Sequence, residues 1–145
     1  TLLGNSRKTY NVAQYAPGEW EVSTKVTGSS SVIAERAMYG NGRAWAHDSI
    51  GAAVLAETWY LAEGSTGAGF ETWVLVANPG GSPASVTVTY MTPGGERPGP
   101  VVSLDPGTRK SFNVYDGVPG AWEVSTKISS NRPVVAERAM YGDRK

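Results

Sequence analysis

The segment Ser6–Gly40 returns as Thr108–Gly142, at a constant offset of 102 residues and without a gap. Twenty of the 35 aligned positions are identical. Two blocks match without a change: Trp20–Lys25 with Trp122–Lys127, and Ala34–Gly40 with Ala136–Gly142. A fixed period is the signature of tandem modules. The chain of 145 residues is not a whole number of such periods. It reads as residues 1–45, the C-terminal half of one repeat; residues 46–57, a connection; and residues 58–145, a complete repeat. Because it begins inside a repeat, it reads as a processed or partial product. An isolated half has an unfilled core, and this constrains both folding and function.

Hydrophobic periodicity points to strands. Trp122, Val124, Thr126 and Ile128 alternate with Glu123, Ser125 and Lys127, and Trp20, Val22, Thr24 and Val26 repeat the pattern. A period of two is what a half-buried strand requires. Val86, Val88 and Tyr90 alternate with Ser85, Thr87 and Thr89. Trp73–Ala77 is a continuous apolar run, expected to be a central strand buried on both faces. Arg109–Val114, Val134–Tyr141 and Trp59–Ala62 are further strands. Turn chemistry separates them at Asn78-Pro79-Gly80-Gly81, Pro93-Gly94-Gly95, Asp105-Pro106-Gly107 and Val118-Pro119-Gly120, where proline presets a negative φ and glycine accepts a positive one. No stretch carries a 3.6-residue apolar period. Six or seven strands at this spacing predict an all-β, antiparallel sandwich, with Trp122, Val124, Val86, Val88 and Leu75 in its core. Trp20 is expected to be buried only where its half finds partner strands.

Composition narrows the function. Formal net charge is zero, so no electrostatic footprint for nucleic acid is present. No apolar run approaches the roughly 20 residues of a membrane-crossing helix. Cysteine is absent and His47 is the single histidine, which removes disulfides, thiolate sites and two-histidine metal sites. His47-Asp48-Ser49 holds the residue types of a catalytic triad, but sequence neighbours cannot adopt its geometry. Asp48 and Asp116 lack calcium-loop spacing. Gly64–Gly69 lacks the lysine and helix of a phosphate loop and reads as a flexible hairpin loop. No catalytic residue, cofactor or metal is expected.

The strand Phe70–Pro79, the strand Val86–Tyr90 and the turn Leu104–Gly107 resemble the immunoglobulin-like or fibronectin-like β-sandwich repeats of bacterial secreted and cell-surface proteins. Trp59–Gly64 together with Ala136–Gly142 is similar to an uncharacterised tandem repeat of large secreted bacterial proteins. The resemblance implies an extracellular array without catalytic activity. The cysteine pair of antibody domains is missing.

Two further features stand out. Both copies keep a Glu-Arg pair, Glu35/Arg36 and Glu137/Arg138. On a strand these neighbours face opposite ways, which puts Arg138 on the face of Val134, Ala136 and Met140, where a guanidinium needs a partner; the expectation is a structural ion pair or a strand at the sheet margin, with a binding role as the alternative. The connection carries Trp45, His47 and Leu55, unusual for a solvated linker; they either pack on a neighbouring module or form a terminal strand of the first. With Trp59 and Tyr60 they make up the candidate interface. The reading is a structural module that self-associates head to tail into a filament, stalk or surface layer. Two halves of one kind, 1–40 and 103–142, compete for one complementary half, 58–95; if the chain is a whole subunit, the half left over would pair with strands of a neighbour, and if it is a window on a longer array, the missing half precedes Thr1 in the same chain. The alternative is a carbohydrate-binding adhesin module, in which exposed aromatic rings stack on sugars.

Overall fold

The computed structural model describes residues 1–142; the last three residues of the 58–145 unit lie outside the described residues. The described residues are all-β, with eight strands in two antiparallel sheets among them. β1 (Glu35–Gly40) and β2 (Trp45–Ile50) form a two-stranded hairpin. The larger sheet contains β3 (Ala56–Leu61), β4 (Glu71–Ala77), β5 (Ala84–Thr92), β6 (Gly95–Leu104), β7 (Arg109–Asn113) and β8 (Ser125–Tyr141). Its order is β6-β5-β8-β4-β7, with β3 also paired to β8.

β8 organises this sheet. Its first half is paired on both edges, to β5 over Ser125–Ser130 and to β3 over Thr126–Ser129. Its second half, Val135–Tyr141, pairs with β4. The alternation read from the sequence places Val124, Thr126 and Ile128 inward, and all three are buried. They meet Val86, Val88 and Tyr90 of β5, Val74 and Val76 of β4, Phe112 of β7 and Leu104 of β6 in one core. β6 carries Pro98 and Pro100 and was not expected as a strand. It tolerates them because it lies at the end of the sheet, where a missing backbone donor breaks no second ladder. Its register shifts between Thr87 and Thr89. There Gly99 passes so close to the Val88 carbonyl that a side chain would stand 2.9 Å from that oxygen.

Three expectations are corrected. Trp122 is 66% exposed, not core. The ladder of β8 begins only at Ser125, and the preceding chain is held as a loop, with Thr66 N–H donating to Ala121 C=O at 2.7 Å and Val124 N–H to Gly64 C=O at 3.0 Å. Gly64–Gly67 is not a loose hairpin loop but buried: the Thr66 hydroxyl donates to Val118 C=O at 2.5 Å, and the Thr72 hydroxyl to Ser65 C=O at 2.7 Å. β4 is central but fully buried on one face only, that of Thr72, Val74 and Val76; Trp73 and Leu75 are half-buried.

The two repeat copies differ sharply. Local turns are reproduced. Asn11 and Asn113 each cap a 3₁₀ turn, accepting from the N–H two residues on at 3.1 and 3.0 Å. Ser6 and Thr108 each donate both backbone N–H and hydroxyl to the carbonyl three residues back. Positive φ recurs at Asn5 and Gly107 (55° and 72°) and at Gly18 and Gly120 (78° and 69°). Strands are not reproduced: residues 7–34, equivalent to β7 and most of β8, contain none. Their apolar residues stand in water, Val26 at 57% exposure where its equivalent Ile128 is at 0%. Ile128→Ala should therefore destabilise the protein by about 2–5 kcal/mol, while Val26→Ala stays within about 0.5 kcal/mol. Urea midpoints of the two variants measure this difference, and equal losses would show the first copy to be packed.

Candidate interaction site

The contact between the two copies starts from hairpin register. Arg36 lies opposite Ser49, Met38 opposite His47, and Gly40 opposite Trp45. Cross-strand partners point to the same side, so these six residues form one face. That face is half-buried, and the alternate residues of both strands are exposed. His47 and Ser49 thus share a face that Asp48 leaves, which disposes of a triad within this tripeptide.

The face is seated on the side of β8 that carries Glu137 and Tyr141. Arg36 forms an ion pair with the Glu137 carboxylate, and the Ser49 hydroxyl donates to the same oxygen at 2.9 Å. Trp45 meets Tyr141 edge to face at 5.2 Å between ring centroids. The Arg36 guanidinium also donates to His47 Nδ1 at 3.0 Å. A guanidinium has no acceptor, so Nδ1 must hold a lone pair and the imidazole is neutral, with its proton on Nε2. Accordingly the His47 pKa lies below its ordinary value of 6.5, chiefly through burial and then through the Arg36 charge. Burial raises the Tyr141 phenol. A second ion pair, Glu21 with Arg109 at 3.1 Å, ties the extended part of the first copy to β7.

Equivalent residues use equivalent partners. Arg138 lies on the inner side of the sheet, opposite Val74, and its charge is met by Glu63 at 3.6 Å. In the first copy the same arginine takes Glu137 instead. Gly142 lies against the Phe70 ring, 2.6 Å from where a Cβ would stand, and Gly40 has no room for a Cβ beneath Trp45. In both copies one strand face pairs arginine with a carboxylate and glycine with an aromatic ring.

Of the five candidate interface residues, the fold brings Trp45 and His47 together and leaves the others elsewhere. Leu55 is 47% exposed just before β3. Trp59 packs against the core and donates Nε1 to Val134 C=O at 3.0 Å. Tyr60 lies on the opposite side of β3, under the Lys127 ammonium. Arg36, Glu137 and Ser49 were missed as interface residues. The repeated Glu-Arg pair was the signal, but the sequence does not show that it joins one copy to the other. A separate open groove of about 710 Å³ is lined by Phe70, Met91, Pro93, Trp122 and Met140, with Glu63 at its edge. Among the described residues, no three His, Asp or Glu side chains converge as metal ligands.

The depressed His47 pKa fixes the pH dependence. A histidine held neutral in the folded state contributes stability that is intact above its unfolded value and lost as pH falls through its folded one. Seating of the hairpin should be intact above pH 6.5 and weaken below it. NMR titration of this single histidine should give a midpoint below 6.5, returning towards 6.5 in Trp45→Ala. A wild-type midpoint at or above 6.5 would show that the ring is not enclosed with Arg36.

No family model matches the chain, and no curated protein matches it. Solved structures do. An Anabaena sensory rhodopsin transducer aligns with a TM-score of 0.52 and 23% identity, over 61% of this chain and 100% of that one. Thermotoga maritima 1070 aligns with a TM-score of 0.51 and 17% identity, over 61% and 90% respectively. At these identities the similarity concerns the fold alone.

Proposed function

We propose that this chain is a structural, non-catalytic module of a tandem β-sandwich array, exported to the cell surface or beyond, where successive units build a filament, stalk or surface layer. The observation that carries this reading is the pair of repeat copies in two states. Thr108–Gly142 is closed into a sheet, while Ser6–Gly40 holds the same turns and presents most of the same apolar positions to water. The contacts between copies support it. Glu21 of one meets Arg109 of the other, and Arg36 meets Glu137. Each contact joins different positions of the repeat, and heterologous contacts of this kind propagate as a filament unless the rotation closes a ring. The carbohydrate-binding alternative draws on one observation, the exposed Trp122 ring at the groove of Phe70 and Met140.

Electron microscopy of the native material should show unbranched, beaded particles spaced by one unit, and antibodies to the β3–β8 unit should label intact cells. Isolated globular particles, or labelling only after permeabilisation, would overturn the array. On a glycan array, binding abolished by Trp122→Ala would favour the adhesin reading instead.

A further inference from the structure

We infer that Ser6–Gly40 is a second donor half, and that its partner is a sheet of the β3–β6 kind, Ala56–Leu104 in this chain, on a repeat unit whose own last half is absent. This rests on the array reading for the source of that partner, and on this chain alone for the fit.

The fit follows position by position. The inward residues of the closed copy are Phe112, Val114, Val124, Thr126, Ile128, Val134 and Ala136. At the offset of 102 stand Tyr10, Val12, Val22, Thr24, Val26, Val32 and Ala34. All seven keep their class and nearly their volume, which a core tolerates. Four are conspicuous in water: Tyr10 at 61% exposure, Val12 at 40%, Val26 at 57% and Val32 at 47%, against 6% or less for their equivalents. On a β3–β5 sheet in the register of β8, Val26 would meet Trp59 and Val88, and Ala34 would meet Val76. Arg36 would reach the position of Glu63, and Gly40 would lie beneath Phe70.

The free half is also pre-shaped. Its turns already stand as in the closed copy, so joining a sheet requires strand pairing and no rebuilding of turns. The contacts that hold it meanwhile are side-chain contacts without a backbone ladder: in the Arg36–Glu137 pair the side chains are 34% and 31% exposed, and in the Glu21–Arg109 pair 53% and 11%. A pair as exposed as Arg36–Glu137 contributes little. Arg36 can therefore exchange Glu137 for a Glu63 equivalent. An intact second copy is not the partner, because its own β8 already occupies β3, β4 and β5.

The chain's own sheet serves as the probe. Because cysteine is absent, Lys25→Cys with Thr89→Cys reports one contact. Lys25 is the equivalent of Lys127, which faces Thr89 across the β5–β8 ladder. In the otherwise unaltered chain, mild oxidation should leave this pair at background. Adding Ile128→Asp expels the resident half, and the disulfide should then form in most of the protein, within one chain or between two. Adding Val26→Asp as well should return it to background, which separates docking from collisions in an unfolded chain. The milder Ile128→Ala should give a smaller rise and keeps the test open should the aspartate prevent folding. Background disulfide in both Ile128 variants, or no drop with Val26→Asp, would overturn the proposal. Micrographs of isolated globules beside a positive crosslink would remove the array and leave the donor half standing.

Discussion

The closed unit depends on the backbone ladder of β8. Seventeen residues long, β8 is flanked by β5 and β3 along its first half and by β4 along its second. Every buried N–H and C=O needs a partner, and β8 pairs one edge of each of three other strands. Its inward side chains then fill the space those strands enclose. The first repeat copy is a natural control. It carries Trp-Glu-Val-Ser-Thr-Lys unchanged, yet forms no strand there. Alternation of apolar residues is a condition for a strand, and a neighbouring edge is what realises it.

Turns obey a different rule. The Asn11 and Asn113 caps, the Ser6 and Thr108 hydroxyl bonds and the paired positive-φ positions recur in both copies. Each closes within three or four residues, so its free energy does not depend on distant segments. Asn and Gly populate these conformations at little cost. The one strand of the first copy that does form, β1, has brought its own partner: β2 follows it across four residues. A hairpin requires only a short loop closure, which separates β1 from the unpaired stretch before it.

This division explains what the sequence made legible. The all-β class, the turns and the inward faces of β5 and β8 follow from periodicity and turn chemistry, and Arg138 lies on the side that alternation assigns to it, with a carboxylate in reach. β6 was hidden by its prolines, which are compatible with a strand only at a sheet edge, a tertiary fact. Trp122 was placed in the core by extending the period of two past the start of the ladder, although nothing local marks Ser125 as the first paired residue. The interaction site was half legible. Trp45 and His47 stood out in a connecting segment, but their partners on β8 could not be read, because Arg36 and Glu137 are 101 residues apart.

The seating of the hairpin on β8 uses an inner face on an outer surface. Arg36, Met38 and Gly40 belong to the strand face that, in the closed copy, turns towards Glu63 and Phe70. Trp45 and Glu137 supply the same two chemical partners, a ring for the glycine and a carboxylate for the arginine. The two arrangements are alternatives for one face, since it cannot cover β8 and line the core of another sheet at the same time. What distinguishes them is the ladder. Outside, the hairpin is held by side chains around half-exposed charges. Inside a sheet, the same strand would gain backbone pairs along its length and bury Val32 and Val26 beside it. A free sheet edge therefore draws the strand inward, and the outer seat keeps that face covered until such an edge is present.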